Sequence, residues 1–125
     1  MKKVTVFLFF LVFLVTVPRA YAHPPSDIKI TFDPATRILQ AVIIHNTSNL
    51  VNHYINKVDV GLNGKEIVEH EISRQDNNES QTVSYLIPDA KGGDVLSVEG
   101  YCSISGKLTK EIRVESVKSE WLNMP

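Results

Sequence analysis

A single cysteine, Cys102, occurs in the 125 residues, so no internal disulfide framework can hold this fold together. Lysine and arginine, 13 in all against 14 acidic residues, form no cluster, and the electrostatic footprint of a nucleic-acid binder is missing. No stretch of ~12 residues carries helical periodicity. There is no internal repeat, low-complexity tract or second domain, and a chain of this length fits one small domain rather than a two-domain enzyme. Serine-triad, paired-carboxylate and phosphate-loop patterns are absent too, which removes those routes to an enzymatic function. Apolar runs are short: the longest, Val4 to Val17, falls below the ~20 residues of a comfortable membrane span.

That run has its own logic. Lys2 and Lys3 precede it and Ala20-Tyr21-Ala22 follows. A basic start, a short apolar core and an A-x-A ending predict a secretory signal peptide over residues 1–22, and hence a secreted or periplasmic protein. Cleavage after Ala22 leaves 103 residues (125 − 22), enough to bury one core without disulfides. Loss of Lys2, Lys3 and Arg19 takes the basic count from 13 to 10 against 14 acidic residues, a mature net charge of −4.

The remainder reads as strands and turns. Ile28, Ile30 and Phe32 alternate with polar neighbours until Asp33-Pro34. Arg37 to His45 forms a second strand, with Leu39, Ala41, Ile43 and His45 on one face and Ile38, Val42 and Ile44 on the other, a pattern that predicts burial on both sides. A polar loop, Asn46 to Asn52, leads to a third strand, His53 to Leu62, with Val58, Val60 and Leu62 facing the core. Asn63-Gly64 signals a type I′ hairpin into a return strand from Lys65 to about Ser73. Arg74 to Ser80 predicts an exposed loop; Thr82 to Ile87, Val95 to Ser103 and Leu108 to about Val117 predict three more strands, separated by Pro88-Asp89, Gly92-Gly93 and Ser105-Gly106. Seven short strands at regular spacing predict an all-β fold, an immunoglobulin-like β-sandwich without the Cys…Trp…Cys core of antibody domains.

Four histidines and the cysteine are the good soft or borderline metal ligands here. His45 ends the second strand and His53 opens the third, so the intervening loop brings them towards each other at one end of a sandwich. His23 becomes the first residue after signal cleavage, and Cys102 lies near the end of the sixth strand. Imidazoles with a thiolate suit iron, zinc or copper rather than Ca²⁺ or Mg²⁺. The plainer reading is that isolated strand histidines are surface or hydrogen-bonded core residues and a buried cysteine is a small hydrophobe. The spacing is not that of a zinc finger. His70, flanked by Glu69 and Glu71, reads as a strand residue rather than a ligand, and Tyr54 and Tyr101 as packing residues. Trp121, in the tail, could cover the sandwich or contact a partner.

The motifs His23-Pro24-Pro25, Ile43-Ile44-His45, His53-Tyr54-Ile55 and Tyr101-Cys102-Ser103 with Gly106 occur in that order over nearly the whole mature chain. Together they resemble the ferrous-iron domain of superoxide reductases, the desulfoferrodoxin and neelaredoxin group, whose members carry an early H-x-P, an H-P at a strand end, an H-Y-I and a late Y-C-N-x-H-G. The family fold is an immunoglobulin-like sandwich. The resemblance implies that His23, His45 and His53 are equatorial imidazole ligands of a mononuclear non-haem iron and that Cys102 is its axial thiolate. It further implies one-electron reduction of superoxide to hydrogen peroxide with an external electron-donor protein. A thiolate opposite an open position pushes electron density toward the reacting oxygen species, as in thiolate-ligated haem.

The chain departs from the family at three places. The C-x-x-H histidine is replaced by Ser105, the Glu-Lys pair before the first histidine is missing, and the His45–His53 loop is slightly longer than usual. The Cys-rich rubredoxin-like module of longer relatives is absent. The free amine of His23, with an ordinary pKa of ~7.7–8.0, could replace the lysine's charge or the missing imidazole's lone pair, but not both.

The expectation is thus a signal peptide over 1–22 and a desulfoferrodoxin-like iron-binding sandwich over 23–125, acting as an exported oxidoreductase of superoxide-reductase type. Its partners would be superoxide and an electron donor, with no nucleic acid and no membrane after cleavage; a homo-oligomer is left open. The alternatives are a non-catalytic copper-binding module using an N-terminal histidine brace, and a metal-free immunoglobulin-like interaction domain.

Overall fold

The computed structural model describes residues 23–116. The leader, the C-terminal tail with Trp121 and the last residue of the expected seventh strand lie outside the described residues. Seven strands run in chain order: β1 (Asp27–Asp33), β2 (Ile38–Ile44), β3 (Ile55–Leu62), β4 (Lys65–Glu71), β5 (Ser80–Leu86), β6 (Val95–Cys102) and β7 (Lys107–Arg113). They form two antiparallel sheets, ordered β1-β2-β5 and β4-β3-β6-β7. The fold is the expected all-β sandwich.

The alternation explains the layers. In β2, Leu39, Ala41 and Ile43 are fully buried, and in β6 Leu96, Val98, Gly100 and Cys102 take the inward positions. With Ile28, Val58, Val60, Val83 and Ile87 they make one continuous aliphatic core. The β3–β4 hairpin turns at Asn63 and Gly64, whose φ angles of 51° and 83° are the paired positive values of the type I′ turn.

Three expectations are corrected. The outer face of β2 is not buried: Ile38 is 44% exposed and Val42 and Ile44 are half-buried, because among the described residues no layer packs outside the three-stranded sheet. The period-2 reading of β3 fails at its start. Asn56 is an extra residue between the pairs Ile55–Cys102 and Lys57–Tyr101, so Ile55 and Val58, odd and even, both point inward. This bulge lies at the rim, where bulges commonly re-aim side chains. In the loop between β4 and β5, Gln75 is completely buried amid exposed neighbours.

Gly100 faces Ile43 across the sandwich, and a Cβ placed on it would sit 3.0 Å from Ile43 Cγ2. Gly100→Ala should lower the unfolding free energy by about 1–3 kcal/mol through overpacking. Ile43→Ala should cost about 2–5 kcal/mol through the cavity it leaves. The double variant should lose less than the sum, because the new methyl enters the vacated space. Urea denaturation of the four proteins measures the coupling; additive losses would show that the two strands do not meet at this layer.

Candidate metal centre

Four strand termini gather at one end of the sandwich. The start of β1 lies beside the end of β2, an alignment continued beyond the strands by Ser26 N–H donating to Ile44 O at 2.9 Å. The start of β3 pairs with the end of β6 through Ile55 and Cys102. His45 continues the inward face of β2 one residue past its end and is completely buried.

The segment leading to His53 is a tight hydrogen-bonded turn. Asn49 Oδ1 accepts from Val51 and Asn52 N–H, Asn49 O accepts from His53 N–H at 3.0 Å, and Thr47 Oγ1–H donates to His53 O at 2.6 Å. Ser103 clamps the following residue: its hydroxyl accepts from Tyr54 N–H and its own N–H donates to Tyr54 O. His23 is placed by its neighbour. Pro24 rests on Gly106, where a Cβ would meet Pro24 N, Cα and Cβ at 3.0 Å; Gly106 also has φ of 90°, a region that favours glycine.

The three rings form a nearly equilateral cluster. Their centroids are 4.8 Å apart for His23–His45, 5.0 Å for His23–His53 and 4.9 Å for His45–His53. One nitrogen from each lies within 4.8 Å of the others. His45 Nε2 and His53 Nε2 are both buried and have no hydrogen-bond partner among the described residues. Such orphaned polar atoms are rare in folded proteins and call for a reason. Burial pushes the pKa of His45 below the ordinary imidazole value against the opposing pulls of Gln75 and, more weakly, the His23 backbone, and the neighbouring His23 and His53 rings push it further down. Burial, then His23, does the same to His53. Both rings are therefore held as neutral imidazole, the form that ligates a metal.

Three of the four sequence-predicted ligands thus come together. Cys102 reaches the same end, buried and facing inward, and its N–H donates to Gly106 O at 2.9 Å. Its sulfur stays outside the set of mutually close donor atoms. Ser105 is exposed at the turn. His70 lies elsewhere, on β4, with Nδ1 2.7 Å from the Tyr85 hydroxyl, whose pKa burial raises to about 12. Tyr101 donates its hydroxyl to Asp59 at 2.9 Å under a cover of Lys57. A second group of donor atoms that sequence reasoning did not find, Asp59, Glu66 and Glu69, surrounds Lys57, which lies 3.5 Å from Asp59 and 3.8 Å from Glu69. That group is a half-exposed ion-pair network on the outer face of β3 and β4. Gln75, which touches His45, was also missed, since one amide in a polar loop carries no sequence signal.

No protein-family model matches the chain, and no curated protein matches it either.

Acid should weaken the metal-free fold through these rings. Above the ordinary value of 6.5 the unfolded imidazoles are neutral like the folded ones, so the rings make no pH-dependent contribution. As pH falls below it, the unfolded chain binds protons that the buried rings refuse, and stability drops toward the folded pKa values. The carboxylates held low, Asp27, Asp94 and Glu99, act only below about their ordinary 3.8, 3.8 and 4.5, while Glu66, held above its ordinary 4.5 chiefly by Asp59, opposes the fall. The urea midpoint should fall between pH 7 and pH 5, and His53→Asn should narrow that fall; an equal fall in the variant would assign acid sensitivity elsewhere. Gly106→Ala should strain its turn, displace Pro24 and destabilise the protein by about 1–3 kcal/mol. An unchanged urea midpoint for this variant would show that Pro24 is not seated there.

Proposed function

We propose that this protein is an exported mononuclear metalloprotein of the superoxide-reductase type, with His23, His45 and His53 as imidazole ligands of ferrous iron and Cys102 as its thiolate. The observation that carries the reading is the pair of buried, partnerless Nε2 atoms within the three-ring cluster. A metal-free interaction domain would leave both unexplained. When bound, ferrous iron would supply the single electron that, with two protons, takes superoxide to hydrogen peroxide, and an external donor would restore it.

The chain's own residues prepare that chemistry. His45 is sealed in the interior, whereas His23 and His53 are half-exposed, so the cluster has a buried side and a side open to a small anion. Neutral imidazoles hold a divalent cation without cancelling its charge. Cys102, buried at the end of β6, would supply the thiolate. With Ser105 exposed in place of the fourth histidine, the proposed donor set is three nitrogens and one sulfur.

The His23 ring supports the iron reading over the copper brace. Its Nδ1 lies 3.1 Å from Pro24 O. A carbonyl only accepts, so Nδ1 carries the proton and Nε2 the lone pair. A brace needs Nδ1, because only that nitrogen closes a chelate ring with the amine of the same residue. The orientation therefore favours ligation through Nε2.

Anaerobic addition of Fe(II) to the exported protein should give one iron per chain by elemental analysis. The ferric form should show a thiolate-to-iron absorption band, and superoxide should convert ferrous protein to that form. Cys102→Ser should remove the band, and His45→Ala should abolish stoichiometric binding. Wild-type protein that retains no iron, or a band that survives loss of Cys102, would overturn the assignment.

A further inference from the structure

We infer that Gln75 is the positioning residue of this centre: its side-chain amide holds His45 as the Nδ1–H tautomer and so presents the Nε2 lone pair to the cluster. Its purpose rests on the metal reading above, but the hydrogen-bond logic stands without it.

Gln75 is completely buried, and each of its amide atoms is engaged. Nε2 donates to His45 O and to Asn77 O, both at 2.8 Å. Two carbonyls use both amide hydrogens, since a carbonyl offers none of its own. Oε1 accepts from Ile55 N–H at 3.1 Å, and a backbone N–H only donates. The orientation of the amide is therefore fixed by three partners whose roles are not negotiable. Turning it over would set two oxygens against oxygen and hydrogen against hydrogen in a site without water access.

Oε1 also lies 2.9 Å from His45 Nδ1. As an acceptor it requires Nδ1 to be the donor. In the neutral ring the other nitrogen, Nε2, then bears the lone pair, and this is the atom left buried without a partner. Metal-bound histidines commonly donate their second nitrogen to an oxygen that fixes tautomer and ring angle. Gln75 supplies that oxygen and, through His45 O, also grips the backbone of the same residue. The grip extends across the sandwich: His45 follows β2 of one sheet, Ile55 opens β3 of the other, and Gln75 N–H donates to Leu50 O at 3.0 Å in the loop between them. One amide thus sets the ring, its main chain and the start of the strand after His53.

Glutamine meets these demands where glutamate does not. A carboxylate would still accept from Nδ1 and Ile55 N–H, but it would turn a bare oxygen toward His45 O and Asn77 O.

The test reads the His45 tautomer by ¹⁵N NMR on folded, metal-free protein, and Fe(II) affinity separately under anaerobic conditions. Wild type should carry the proton on Nδ1. Gln75→Leu, which removes the acceptor, should mix or reverse the tautomers and weaken Fe(II) binding about 10–100-fold. Gln75→Glu, which keeps it, should retain the Nδ1–H form and bind more tightly than Gln75→Leu; it also serves if the leucine variant does not fold. An Nε2–H ring in wild type, or a Gln75→Leu protein with wild-type tautomer and affinity, would overturn the inference. Wild type that takes up no Fe(II) while showing the stated tautomers would refute the metal reading and support the hydrogen-bond assignment.

Discussion

Two imidazole nitrogens are buried here without partners among the described residues, and the arrangement of this end of the sandwich follows from keeping them there. Each orphaned polar atom costs about 1–3 kcal/mol, a substantial part of a small domain's net stability of about 5–15 kcal/mol. The cost is tolerable because both sheets contribute to one continuous aliphatic core in the rest of the sandwich. The rings are also kept from relaxing outward: His45 by Gln75, His53 by the Thr47 and Asn49 turn, His23 by Pro24 on Gly106. A cation would convert the penalty into bonds.

Much of the fold was legible in the sequence. Alternation in β2 ran through Leu39, Ala41 and Ile43 into His45, and the same period that identified core residues placed a histidine inside. Asn63-Gly64 announced its hairpin because few residue pairs tolerate two positive φ values in succession. The approach of His45 to His53 followed from strand ends, and His23 joined them through the motif resemblance.

What escaped had no local signature. The Asn56 bulge is defined by its partner strand, and a single strand's pattern does not contain it. Ile38, Val42 and Ile44 looked like core because apolarity marks a capacity for burial, while burial itself needs a second layer, which the described residues do not provide on that side of the sheet. Gln75 owes its burial to partners 20 and 30 residues away, so its loop read as solvent-exposed. The position of Cys102 was legible to the strand end but not to the ångström, and the structure leaves its sulfur outside the three-ring set.

The three clustered histidines come from separate stretches of backbone: His23 leads into β1, His45 trails β2 and His53 precedes β3 of the opposite sheet. An ion held between them would act as a rivet through both layers, in a protein with no disulfide to serve that purpose. Its occupancy would add stability in proportion to the logarithm of free metal. Resistance of the polypeptide to proteases would then rise and fall with metal supply, so that survival of the chain would report how much of that ion is free.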